Sequence, residues 1–226
     1  MKTLVNKDEN LKYLCCLLNS DKINDKAIYS FVNIYNKSVN RCTIFESLVT
    51  EHILKVHTGI SEKYKRLNEK YQIVFFIKYL KKEKHWIVIE WKNKTFTLFD
   101  NFPWPKPKPK KEKYFQILHQ LSSALLQGTS KQDISLHVKM SYDLPITSVQ
   151  NIDDSNCAIH VILNILCLSA QNNSIVYNHI DVKKAREKML KTILEGKLSQ
   201  FFLRLMVQVF YLFYISLYLF LTGCSN

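Results

Sequence analysis

In the stretch QNIDDSNCAIHVILNIL, Gln150 to Leu166, acidic and polar residues give way to apolar ones at helical spacing, and a cysteine stands at the changeover. The pattern predicts a helix over 157–170, with Cys157 in its first turn and Asp153, Asp154, Ser155 and Asn156 around its N-cap. The N–H groups of a first turn lack intrahelical acceptors, so they point towards a thiol placed there and favour its thiolate. A thiolate nucleophile also needs a histidine to hold and deliver the proton, an acid to orient that histidine, and donors for an oxyanion.

A histidine and an acid with suitable spacing lie upstream, in HWIVIEWKNKTFTLFD. As strands around a KNK turn, this segment puts His85, Ile87, Ile89 and Trp91 on one face, and Phe96, Leu98 and Asp100 on one face of the partner strand. A two-residue turn at Lys92-Asn93 sets His85 directly opposite Asp100, and one at Asn93-Lys94 makes them diagonal neighbours on one face. A three-residue turn sends them to opposite faces. Cross-strand neighbours have Cβ atoms about 4.5–8 Å apart, within which a carboxylate can hold an imidazole.

The elements that must position these groups are legible in outline. INDKAIYSFVNIYNKS carries Ile28, Phe31, Val32 and Tyr35 at helical spacing behind Asn24 and Asp25 as N-cap residues, and 44–57 is a weaker helical pattern. YQIVFFIKYL, 71–80, is β-branched and aromatic and is expected as a buried strand. FPWPKPKPKKEK alternates prolines at 103, 105, 107 and 109, which predicts an extended, polyproline-like surface loop before a helix over 113–126. ISLHVKMSYDLP is expected as a strand and 181–195 as an amphipathic helix. Strands flanked by helices without a regular βαβ alternation indicate an α+β fold.

The composition, 47% hydrophobic and 23% charged over 226 residues, fits one globular domain rather than a disordered chain. The formal net charge of +13 predicts attraction to acidic partners, whether nucleic acid, an anionic membrane or an acidic protein, without choosing among them. The six cysteines form no CxxC pair and no zinc-like spacing, and Asp8 and Glu9 precede any apolar run, so free thiols and no signal peptide are expected. Cys157-x-x-His160 has no second half of a metal site in view, so no metal is expected and His160 is read as a helix-face residue. From Leu205 the chain carries no charge, and a run of roughly 20 apolar residues is long enough to span a bilayer. The organisation is therefore read as a domain over 1–200 and a hydrophobic tail over 201–226. That tail is read first as a membrane anchor, with a helix packed on the domain or a segment not native to it as alternatives.

The order His85-Trp86, Asp100, Gln150, Cys157 and then an apolar helix resembles the ubiquitin-like-protein-specific cysteine proteases, the SUMO or sentrin proteases and their adenovirus-type relatives. KINDKAIYSFVNIY is similar to that family's Trp-Leu-Asn-Asp segment, and the resemblance spans roughly residues 18–170. It implies a papain-like α+β core with a central hairpin and sheet flanked by helices, to which the tail would add a C-terminal hydrophobic helix. It further implies Cys157 as nucleophile, His85 as general base and acid, Asp100 as its orienting acid, and the Gln150 amide with the Cys157 N–H as oxyanion hole. Trp86 would wall a narrow channel for the modifier's Gly-Gly tail, and Asp25 would contact the substrate. The implied reaction is thiol (iso)peptidase cleavage after Gly-Gly through a thioester, with no cofactor. A SUMO-type modifier and its conjugates would be the partners, with no specific nucleic acid, in the nucleus or cytoplasm and anchored to a membrane if the tail spans one.

Four departures stand against the family pattern. Its Asp-Cys-Gly is Asn156-Cys157-Ala158 here, its early Trp is Lys22, the 15 positions from His85 to Asp100 are slightly few, and Cys157 stands seven positions after Gln150, one more than in SUMO proteases. Acetyl transfer on the same constellation, and a modifier-binding module that does not cut, are the rival readings. The basic Pro-rich run is read as solvated, with steering of an acidic substrate or nuclear import as alternative roles.

Overall fold

The turn at Asn93-Lys94 decides the register of the centre of the molecule. In the computed structural model both residues hold positive φ, 49° and 60°, the left-handed pair of a two-residue hairpin turn. Lys92 therefore pairs with Thr95 and Val88 with Phe99, joining β3 (His85–Lys92) to β4 (Thr95–Phe99). The structure describes residues 14–18, 22–39, 42–55, 71–126, 134–144, 149–150, 155–170, 177 and 179–202.

Around that hairpin a five-stranded sheet runs in the order β1-β2-β3-β4-β5, with β1 (Cys42–Phe45), β2 (Ile73–Leu80) and β5 (Ser135–Lys139). The three central strands are antiparallel, and both edge pairs, β1 with β2 and β4 with β5, are parallel. Parallel neighbours require a crossover, so helices follow β1 and β4 after all. The second half of β1, Ile44 and Phe45, falls on residues expected to open a helix: a four-residue strand is too short for its periodicity to speak, and pairing with β2 fixes it.

The helices are α1 (Cys15–Leu18), α2 (Asp25–Ser38), α3 (Ser47–Lys55), α4 (Pro107–Leu125), α5 (Cys157–Ser169) and α6 (His179–Glu195). Asn24 caps α2, its side chain accepting from Ala27 N at 3.0 Å. One sheet face, with Phe75, Ile77, Trp86 and Val88, packs with α2, α5 and α6. The opposite face, with Phe76, Ile87, Ile89 and Trp91, packs with α3 and α4. β3 is buried on both faces because both are covered. Every residue of α5 from Cys157 to Leu168 is buried, which is why the helix is apolar on every face except at His160 and Asn164, whose polar atoms are hydrogen-bonded.

The Pro-rich run departs from the expected extended loop. Residues 102–106 are non-helical, but α4 begins at Pro107, six residues before the expected 113. Proline fits a first turn, where its missing N–H has no partner to lose and its φ is already helical. Phe202 is buried against Phe31, with ring centroids 5.1 Å apart at 74°. The hydrophobic tail beyond it lies outside the described residues, and among those described no helix is long and apolar enough to cross a membrane.

Candidate active site

The register makes Asp100 the neighbour of Ile87 and the diagonal neighbour of His85, and the two side chains meet. His85 Nε2 donates to Asp100 Oδ1 at 2.8 Å, with both residues buried. Asp100 accepts three further bonds: Phe102 N on Oδ1 at 3.0 Å, Trp104 Nε1 on Oδ2 at 2.6 Å, and the Tyr114 hydroxyl on Oδ2 at 2.5 Å. Phe102 and Trp104 come from the Pro-rich run and Tyr114 from α4, so the chain just after β4 wraps its own carboxylate. Phe102 and Trp104 also flank the imidazole, with ring centroids 5.5 and 5.6 Å away, Trp104 edge-on.

Burial disfavours the imidazolium, but hydrogen bonds to Asp100 and Cys157 and the charges of both outweigh it, and the His85 pKa is raised to about 9. Burial likewise opposes the Asp100 carboxylate. The bond and charge of His85, with donation from Tyr114 and Phe102, nevertheless hold its pKa below the usual value. Burial and the adjacent Asp100 charge push the Tyr114 pKa up, so its phenol stays a donor. Nε2 is committed to Asp100, which leaves the imidazole's other nitrogen free of that bond, and Cys157 lies within electrostatic reach of the ring.

Cys157 is buried and is the first residue of α5. The first helical bond runs from His160 N to Asn156 O, leaving the N–H groups of Cys157, Ala158 and Ile159 at the positive end of the helix. Asn156 makes no side-chain cap. Its Oδ1 instead accepts from Arg186 Nη1 of α6, whose Nη2 reaches Cys16 O at 2.6 Å and Nε Leu17 O at 3.3 Å. His160 does sit on a helix face, its Nδ1 3.1 Å from the Tyr177 hydroxyl.

The other predicted residues occupy distinct places. Gln150 is buried and its N–H donates to Asn101 O at 2.9 Å, beside Asp100. Trp86 is buried against Tyr79, its cross-strand partner, with centroids 4.7 Å apart. Asp25 is exposed on the first turn of α2, apart from the buried His85–Asp100–Cys157 cluster. Burial, then the charges of Cys157 and Asp25, raise the Tyr79 pKa, so Tyr79 lies within electrostatic reach of both.

The basic run proves to be structural where it meets the site. Lys110 and Lys113 bridge Glu83 at 2.7 and 2.5 Å, and the Lys110 ammonium stands 4.0 Å from the Trp104 ring centre. Those two bonds overcome burial and lower the Glu83 pKa to about 2. Sequence reasoning passed over Trp104, Tyr114 and Asn101. An indole within four residues of the candidate acid was the one available signal.

A buried Cys–His–Asp cluster at a helix start beside a hairpin coincides with a family match. The model of the Ulp1 protease family, C-terminal catalytic domain, matches residues 11–198. The chain belongs to the Ulp1 protease family. Membership makes it a cysteine-type peptidase, and the α+β sheet with helices on both faces is that family's fold. The structure is similar to the yeast Ulp1 protease domain solved in complex with Smt3, the yeast ortholog of SUMO, with TM-score 0.66, 21% identity and 83% of each chain covered. It is also similar to Ulp1 with its catalytic cysteine oxidised to a sulfonic acid, with TM-score 0.68, 21% identity and 83% and 84% of the two chains covered. The Chaetomium thermophilum Ulp1-like SUMO protease catalytic domain matches with TM-score 0.56 and 16% identity, over 78% of this chain and 74% of that one. No curated protein matches the chain.

Proposed function

We propose that this protease cleaves the peptide or isopeptide bond after the C-terminal Gly-Gly of a SUMO-type modifier. The observation that carries the mechanism is the buried His85–Asp100 hydrogen bond, with Cys157 close enough to shift the imidazole's pKa. His85, charged below about 9, already holds the proton given up by the thiol, and the sulfur attacks the glycine carbonyl carbon. The resulting oxyanion is met by the Cys157 N–H and the Gln150 amide. The imidazolium then gives its proton to the leaving amine as the C–N bond breaks, leaving a thioester. Water, deprotonated by His85, hydrolyses the thioester and restores the thiol. Trp86, with Tyr79 beside it, walls the passage for the glycines, and only residues without a Cβ let a backbone pass so close. Asp25 contacts the modifier on the exposed start of α2. A SUMO probe carrying a C-terminal electrophile tests the reading: it should label the full chain and fail on Cys157→Ala. Labelling of Cys157→Ala, or none of the native chain, would sink it.

The charge-free run from Leu205 to Gly223 is proposed as a membrane anchor. Lys183, Lys184, Lys188, Lys191, Lys197 and Arg204 precede it, and the positive-inside rule then leaves the protease facing the cytosol or nucleoplasm. Resistance of the full chain to alkaline carbonate extraction is the expected result, and release by it would exclude a spanning helix.

A further inference from the structure

Behind the candidate site lies a closed polar ring that the mechanism above does not use. Asn164 Nδ2 donates to Asn101 Oδ1 at 2.6 Å, Asn101 Nδ2 donates to the Tyr177 hydroxyl at 2.9 Å, and that hydroxyl donates to Asn164 Oδ1 at 2.8 Å. The three bonds run head to tail, so each polarises the next, and all three residues are buried. Burial holds the Tyr177 phenol neutral by raising its pKa, so its proton stays in the ring.

Asn101 is the member that touches everything. It follows Asp100 directly, its backbone carbonyl accepts Gln150 N at 2.9 Å, and its side chain grips Asn164. Asn164 lies seven residues beyond Cys157 on α5, two turns along the same face and about 10 Å down the helix axis. One residue thus links the acid's strand, the Gln150 segment and the nucleophile's helix. The route from Cys157 to Gln150 along the chain crosses seven peptide units. The route through the ring is a stiff helix and two short hydrogen bonds. An oxyanion donor must stand within a few tenths of an ångström of its place to be effective.

We infer that Asn101 is a positioning residue, which sets the distance between the Gln150 oxyanion donor and the Cys157 sulfur by tying both to the end of β4. The inference rests on the proposed roles of Gln150 and Cys157. Asn101 touches no substrate in this scheme. Its effect passes through Gln150, and that separates it from general support of the fold.

The experiment compares the full chain with Asn101→Ala, Gln150→Ala and the double variant, using a SUMO fusion with a fluorogenic C-terminal amide. Asn101→Ala is expected to lower kcat roughly 10- to 100-fold, less than the roughly 10²–10³-fold of an oxyanion donor removed outright, with KM within about twofold. Added to Gln150→Ala, it should cost less than about threefold more, because the donor it places is already gone. Alkylation of Cys157 by iodoacetamide, which forms no oxyanion, should be nearly unchanged, while affinity for a SUMO aldehyde falls in step with kcat. Multiplicative losses in the double variant, an equal fall in alkylation, or an unchanged kcat would each overturn the inference. Should Asn101→Ala not fold, Tyr177→Phe, which opens the ring without changing its size, is held to the same three readouts. If Gln150→Ala itself leaves turnover intact, the oxyanion reading fails first, and the two failures are distinguishable.

Discussion

Trp104 Nε1 donates to Asp100 Oδ2 at 2.6 Å, and the Lys110 ammonium lies 4.0 Å from the centre of the same indole ring. Glu83, two residues before His85, holds that ammonium, so a chain of contacts leaves the turn that leads into β3 and returns to the acid. The basic, proline-rich segment that looked like a solvated loop is thereby part of what aims the carboxylate.

Trp104→Phe keeps an aromatic wall beside His85 but removes one of four donors to Asp100. Turnover should fall by roughly 3- to 10-fold, since Tyr114, Phe102 and His85 still hold the carboxylate. Stability should fall by about 1.5–3 kcal/mol, as for a lost hydrogen bond to a charged group. Denaturant melts and kcat for the same preparation check both. Unchanged turnover would mean that the three remaining donors orient Asp100 without Trp104.

The raised pKa of His85 carries a pH dependence with a definite sign. A group titrating near 9 when folded and at its ordinary 6.5 when unfolded contributes stability that is fully present below about 6.5. That stability is lost as pH rises through about 9, on the order of 3 kcal/mol for a shift of this size. Asp100, held below its usual pKa, contributes in the opposite sense, on acidification through the carboxylate range. Melting temperatures of the native chain and His85→Gln should therefore converge between pH 6.5 and 9. A constant gap across that window would show that His85 is not charged in the folded protein.

The missing acid before Cys157 has a physical counterpart. Asn156 offers its amide oxygen to Arg186, which also holds the carbonyls of Cys16 and Leu17. The neutral residue therefore keeps the bond that fixes the chain ahead of Cys157. Asn156→Asp would set a carboxylate against the same guanidinium and form an ion pair there. Turnover should stay within about threefold, and the melting temperature should rise or hold. A tenfold loss would show that the added charge reaches the thiolate and that asparagine is required.

Much of this site could be read before any coordinates. His85 and Asp100 were bound to share a face for either two-residue turn, and Cys157 had to open a helix because apolar periodicity begins at it. The choice between opposite and diagonal pairing could not be read, since it depends on Lys94 accepting a positive φ that lysine does not advertise. Helix α4 was obscured by Pro107 and Pro109, which argue against a helix interior but not against its first turn. The Asn101–Tyr177 bond joins residues 76 positions apart, and nothing in local pattern announces such a contact. Asp25 was placed by resemblance alone, and it lies exposed on the first turn of α2.

The reaction itself is tested by a graded series, because each group acts at a different point. Cys157→Ala should abolish cleavage of a SUMO fusion while leaving its binding largely intact, since the thiol forms a bond rather than a docking contact. His85→Ala should be comparably severe, because an unassisted thiol is mostly protonated at neutral pH. Asp100→Asn should be damaging but less complete: base and nucleophile remain, while orientation and imidazolium stabilisation are lost. Gln150→Ala should cost roughly 10²–10³-fold in kcat if its amide meets the oxyanion. Trp86→Ala, which opens the wall beside Tyr79, should act mainly through KM. Stopped assays with the fusion, together with direct binding to a non-cleavable SUMO tail, separate these effects. Wild-type turnover by Cys157→Ala would leave the cysteine at the start of α5 as a structural thiol, and the whole assignment of chemistry to this cluster would fall with it.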